Sequence, residues 1–144
     1  QAGMQAGIPV ESGYRGAIEG IRQAVNQHDL HALAACFASD YQSEFPVHPD
    51  RAFRGHEQMR NNWTQIFTAV PDIQASLLRS AVDGDTMWAE WEWTGTLVTG
   101  GPFLHRGVTI HGIDQGKTRW VRLYMEPVRE GEPGIESAAP GGRR

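Results

Sequence analysis

The segment Trp120-Val121-Arg122-Leu123-Tyr124-Met125-Glu126-Pro127 gathers side chains able to move a proton. In an extended strand successive residues face opposite ways, so Arg122, Tyr124 and Glu126 share one face and Val121, Leu123 and Met125 the other. A carboxylate in an apolar pocket is disfavoured in its charged form, so its pKa rises and it can exchange protons near neutral pH. In such a setting Glu126 is a candidate general acid/base. The natural task is removal of a proton α to a carbonyl, as in aldol closure or double-bond isomerisation. The resulting enolate needs a hydrogen-bond donor. Tyr124, one pleat away, and His111, in the preceding apolar run, are the candidates. Paired with Arg122 instead, Glu126 becomes an ordinary structural carboxylate, and His111 reads equally well as a hydrogen-bonded sheet residue. Periodicity alone does not choose which face looks inward.

Phe45, Trp63, Phe67, Trp91 and Trp93 are candidate apolar walls for a planar or polycyclic ligand, with Arg122 as a polar contact. The same aromatic residues also read as plain core. His48, Arg51 and Arg54 lie in a proline-containing loop, where they meet an anionic substrate or simply solvent. Arg106 and Asp114 stand eight residues apart on one strand and cannot meet directly, which argues against an epoxide-opening centre. Cys36, the one cysteine, excludes an intrachain disulfide and sits in the apolar run Leu33-Ala34-Ala35-Cys36-Phe37 as a small buried hydrophobe. Six histidines occur without an HExxH or Cys/His cluster, so no metal is expected, and the proton chemistry needs no cofactor.

These residues must be positioned by a single domain, given 144 residues. A formal net charge of -4 with no basic face argues against nucleic acid. No apolar run approaches the roughly 20 residues of a membrane span, and the first residues lack a basic start and an apolar core. The expectation is a soluble, cytoplasmic protein. Residues 1–12 and 130–144 are small, polar or rich in glycine and proline, and are expected to be flexible ends around a packed domain at 13–129.

Tyr14, Ile18, Ile21 and Val25 recur at helical spacing, and Asp29 is a candidate N-cap for a second helix with Leu30, Leu33 and Phe37. Residues 41–45 read as a short strand ending at Pro46. Gly55 opens a third helix whose stripe is Met59, Trp63, Ile66, Phe67 and Val70, and Pro71 stops it. The period then changes. Residues 72–82, 86–98, 103–114 and 118–128 read as four strands separated by glycine-marked turns. The order α-α-β-α-β-β-β-β means an α+β fold, with helices gathered on one face of a curved, mostly antiparallel sheet. Met87, Ala89, Trp91 and Trp93 form the inward face of the second long strand. Trp88 lies outward, where a second subunit would cover it in a homodimer. For the next strand, the set Phe103, His105, Thr109, His111 and the set Leu104, Arg106, Val108, Ile110 both remain open as the cavity face.

Three stretches resemble the SnoaL-like polyketide cyclases of the nuclear-transport-factor-2-like superfamily. Phe53-Arg54-Gly55-His56 continuing to Trp63 and closing at Val70-Pro71-Asp72 is similar to the family's helix and its exit into the first long strand. Asp83-Gly84-Asp85 leading to Glu92-Trp93-Thr94-Gly95-Thr96 is similar to the strand ending in Thr-Gly-Thr. Gly116-Lys117 leading to Tyr124-Met125-Glu126-Pro127 is similar to the closing strand with a carboxylate before proline. The resemblance spans residues 14–128 and implies a cystatin-like cone, in which the sheet wraps a long helix around an apolar pocket. It also implies that Glu126 projects into that pocket as the acidic residue, glutamate standing where aspartate is usual. Thr96-Leu97 replaces a frequent Thr-His. The function implied is a cofactor-independent cyclase or isomerase acting on a hydrophobic or polycyclic small molecule. The rival readings are a binding protein for a hydrophobic metabolite and a dimeric adaptor for a protein partner.

Overall fold

The computed structural model describes the backbone of residues 10–141 and side chains from residue 13. Helix α1 (Val10–Asn26) and helix α2 (Leu30–Ala35) come first, followed by strand β1 (Phe37–Glu44). A 3-10 turn at Pro49–Arg51 and the two-residue strand β2 (Phe53–Arg54) lead into helix α3 (His56–Ala69). Then come the long strands β3 (Gln74–Asp83), β4 (Thr86–Thr96), β5 (Pro102–Asp114) and β6 (Lys117–Pro127), and a short helix α4 (Ile135–Ala138). The expected α+β order holds, with four differences, the first being the unexpected strand β2 in the loop ahead of α3. Helix α1 starts before residue 13, β1 begins at Phe37 directly after α2, and α4 interrupts the C-terminal stretch expected to be irregular. Residues 1–9 and 142–144 of the two expected ends lie outside the described residues.

Local chemistry explains the helices. Ile18, Ile21 and Val25 are buried along one stripe of α1. The Asp29 carboxylate accepts a hydrogen bond from Ala32 N at 2.9 Å and caps α2. Past the end of α1, the Asn26 amide both donates to Ala75 O at 3.1 Å and accepts from Ala75 N at 2.6 Å, covering the otherwise open edge of β3.

The six strands form one sheet in the order β2-β1-β6-β5-β4-β3. All neighbours are antiparallel except β1 and β6, which run parallel. The helices lie on its concave face, and the core runs from Ile18 and Val25 through Leu33 and Met59 to Met87, Ala89 and Trp91. A bulge between Leu77 and Arg79 adds curvature at one edge, so Leu78 turns outward.

A second irregularity sets the phase of the last strand. The β5–β6 hairpin turns at Gln115 and Gly116, both with positive φ (52° and 78°), as a two-residue turn of this hand requires. Ile113 then pairs with Thr118, but Gly112 pairs with Trp120, leaving Arg119 as the extra residue. Gly112 fits this bulge because the Trp120 indole occupies the space a Cβ would take. Beyond it Thr109 faces Leu123 and Gly107 faces Met125, while Arg106 faces Glu126.

Removing the bulge residue tests this reading. Arg119→Ala loses only an exposed 3.8 Å ion pair to Asp114 and should change stability by less than about 0.5 kcal/mol in urea denaturation. Deleting Arg119 makes the ladder regular and keeps Gly112 opposite Trp120 and every pair beyond it, so that variant should still fold cooperatively. An alanine inserted after Trp120 instead turns Arg122 and Glu126 inward, with an expected loss of about 3–5 kcal/mol or of cooperative folding. Equal stability of the insertion variant and Arg119→Ala would show that the strand tolerates either phase.

Candidate functional site

The cone encloses a cavity of about 540 Å³. Its walls come from every layer: Leu33 of α2, Met59, Trp63 and Ile66 of α3, Trp91 and Trp93 of β4, and Val121, Leu123 and Met125 of β6. Such a volume and such a lining suit an apolar molecule of several fused rings.

Five sequence candidates, Phe45, Trp63, Trp91, Trp93 and His111, line the cavity together. Phe67 does not. It packs one layer behind the wall, stacked on His28 at 5.0 Å and beside Trp63 at 5.5 Å. Of the two phases open for β6, the one adopted turns the apolar set inward. Arg122, Tyr124 and Glu126 lie on the opposite, convex face, against the placement of Glu126 that the resemblance implies. There Arg122 donates to Glu44 Oε1 at 2.7 Å and to the Tyr124 hydroxyl at 3.5 Å. Glu126 meets His48 Nε2 at 2.9 Å, with 48% of its side chain exposed. The Arg119 bulge is the physical reason, because it shifts the phase of everything beyond it by one residue. Neither an acid/base role on the cavity floor for Glu126 nor an oxyanion contact from Tyr124 is available from that face. Among the described residues no aspartate or glutamate lines the cavity.

His111 is on the wall but fully committed. The Trp91 indole N–H donates to Thr109 Oγ1 at 2.8 Å, Thr109 Oγ1 meets His111 Nε2 at 2.8 Å, and His111 Nδ1 meets Thr118 Oγ1 at 2.9 Å. Either tautomer of a neutral ring satisfies this chain, and a charged ring does not gain from it. Burial pulls its pKa down to about 3. It is a structural imidazole and not a base for the ligand.

The wall carries other polar groups. His105 on β5 is half-buried, stacked on Phe103 at 4.4 Å and facing Trp93 at 6.4 Å. Neither ring nitrogen has a hydrogen-bond partner among the described residues. Desolvation lowers its pKa from the usual histidine value, and the charge of Glu126 across the sheet opposes that shift. Tyr41 and Ser43 on β1 are buried against the cavity, and their hydroxyls also have no partner among the described residues. Burial pushes the Tyr41 pKa up, so it stays a neutral donor. Arg51 and Asn62 stand at the mouth. Sequence reasoning placed His105 on one of two open faces and gave Tyr41 and Ser43 no role. The usable signal was the alternation Tyr41, Ser43, Phe45 along β1, which puts both hydroxyls on the face of a residue already chosen as a wall.

No group of three or more histidine, cysteine or acidic side chains able to hold a metal occurs among the described residues. No described helix is long and apolar enough to cross a membrane.

Comparison with known proteins agrees with this architecture. Residues 18–122 match the family model described as the SnoaL-like domain. A protein from Jannaschia sp. CCS1 assigned to the SnoaL-like polyketide cyclases superposes with a TM-score of 0.70 at 16% identity, covering 82% of this chain and 88% of that one. An LEH-like epoxide hydrolase from Mycobacterium tuberculosis gives 0.66 at 17% identity, covering 79% and 82%. Another M. tuberculosis protein, solved with estradiol-17β-hemisuccinate, gives 0.66 at 16% identity, covering 78% and 92%. At these identities the likeness shows the fold. No curated protein matches the chain in sequence.

The placement of His111 has a pH signature. With a folded pKa far below its unfolded value of about 6.5, it takes up a proton only on unfolding. Its contribution to stability is therefore complete above pH about 6.5 and declines as pH falls toward 3, by up to about 1.4 kcal/mol per pH unit. In a nitrogen-detected NMR titration the His111 ring should keep its neutral shifts down to pH 5. A midpoint near 6.5 would contradict the buried network.

Proposed function

The chain belongs to the SnoaL-like domain family, and from that premise we propose that it is a cofactor-independent enzyme of cyclase or isomerase type, with His105 as its acid/base group. The observation that carries this reading is the composition of the wall. Among its titratable side chains, His105 alone has a pKa drawn down from an ordinary starting point near neutrality while both ring nitrogens remain uncommitted. A neutral imidazole is the competent form of a base at physiological pH.

The steps follow from these groups. His105 takes a proton from the carbon α to a ligand carbonyl, and the C–H electron pair becomes the C=C bond of an enolate. Tyr41 or Ser43 donates a hydrogen bond to the enolate oxygen, in a cavity dry enough to make that bond strong. In isomerisation the imidazolium returns the proton to a different carbon of the conjugated system. In cyclisation the enolate carbon attacks a second carbonyl, and the new alkoxide takes the proton. Glu126, on the convex face, acts through His105 by favouring its protonated form.

The absence of a carboxylate from the wall favours one rival, a non-catalytic binder of a hydrophobic metabolite. One relative's rigid steroid ligand recommends ketones with two to four fused rings as probes for this cavity. Quenching of Trp63, Trp91 and Trp93 should report their binding, and deuterium uptake at the α-carbon in heavy water should report proton abstraction. Expected is that His105→Asn binds such a ketone and exchanges its proton at least about a hundredfold more slowly. Glu126→Gln should shift the acid limb of the rate profile to lower pH, because it removes the charge that raises the His105 pKa. Binding without exchange in the wild type across the panel would establish the binder instead.

The convex face of the sheet supports a homodimer. Trp88 and Trp120 stand 45% and 36% exposed there, over the buried Ile110. Light scattering after size exclusion should give a dimer for the wild type and a monomer for Trp88→Glu. A wild-type monomer at high micromolar concentration removes this assembly.

A further inference from the structure

The cavity continues past its mouth into a second, more polar recess of about 380 Å³, bounded by Phe45, Asp50, Arg51, Phe53, Gln58 and Asn62. Phe45, Arg51, Phe53 and Asn62 line both spaces and so form the boundary between them. The polar groups at this junction have an orientation. Gln58 Nε2 donates to Asn62 Oδ1 at 2.8 Å across one turn of α3, which occupies the acceptor of Asn62 and leaves its amide hydrogens available. Arg51, on the exposed 3-10 turn, has no ion-pair or side-chain hydrogen-bond partner among the described residues. Its guanidinium is the permanent charge on the wall of the main cavity.

We infer that the ligand of this cavity is an amphipathic acid, its apolar ring body in the cone and a carboxylate at the mouth between Arg51 and Asn62. A planar carboxylate matches the fork of a guanidinium, and Asn62 adds a neutral donor. Asp50 bounds the outer recess and is absent from the main cavity, so its charge disfavours a dianion such as phosphate beyond the junction. The inference rests on the reading of the cavity as the binding site and names the class of molecule it accepts.

Three probes of one shape test it: 2-naphthylacetate, its methyl ester and 2-naphthylethylamine, each measured by calorimetry on the full chain. The acid should bind at least about tenfold more tightly than the ester, and the amine more weakly than either. Arg51→Gln should bring the acid-to-ester ratio close to one, Arg51→Lys should restore part of it, and added salt should reduce it in the wild type. His105→Asn should keep the ratio, which separates this site from the proposed proton chemistry. Equal binding of acid and ester overturns the carboxylate subsite alone. An unchanged ratio in Arg51→Gln overturns it as well. Failure of both acid and ester to bind at millimolar concentration overturns the cavity reading and this inference with it.

Discussion

One extra residue, Arg119, determines what the interior of this protein can do. Counted straight from the Gln115-Gly116 turn, an unbulged hairpin would set His105 opposite Glu126 and His111 opposite Trp120. The bulge moves each pairing on by one, so His105 faces Pro127 and Arg106 faces Glu126. The energetics favour that phase strongly. Three apolar side chains gain roughly 1.5–3 kcal/mol each from burial, whereas sinking Arg122 and Glu126 would cost several kcal/mol per ion. Outside, the same two charges find Glu44 and His48 in half-exposed pairs that contribute little and cost little.

This explains which parts of the structure were legible in the sequence. Strand β4 could be read directly, because small or apolar residues alternate with Glu90 and Glu92 and only one phase turns both Trp91 and Trp93 inward. The helices were legible for the same reason, with Asp29 and Pro71 marking ends by side-chain chemistry that acts within a few residues. Strands β5 and β6 carry large apolar residues on both faces, since Val108, Ile110 and Trp120 lie on the convex side, with Ile110 opposite Trp88. Period-2 patterning fails where both faces are apolar, and a bulge has no periodic signature. The resemblance to a family gave the cone correctly and gave the last carboxylate a place it does not hold here.

The site had a similar limit. Glu126 attracted attention as an acid before a proline, while His105 sat in a run whose phase depended on a bulge elsewhere. Charge and burial separate the two histidines of that run. His111 is satisfied at both nitrogens and held neutral, and its bond to Thr118 ties β5 to β6 next to the bulge. That network helps fix the phase that keeps His105 on the wall. His105 is left between aromatic rings with no partner, near enough to Glu126 for its charge to be felt.

The resulting interior is electrically one-sided. Its polar groups are hydroxyls, the imidazoles of His105 and His111, the amides of Asn62 and Gln65 and, at the mouth, a guanidinium, and among the described residues no carboxylate joins them. Such a wall offers donors and no competing anion, so negative charge that develops on a bound molecule meets fixed dipoles already turned toward it. A carboxylate base becomes neutral as it takes the proton and offers the forming enolate no opposite charge. An imidazole base becomes positive as it takes the proton and attracts the enolate instead. The phase of β6 that expelled Glu126 therefore suits the cavity to chemistry, or to ligands, in which the charge is negative.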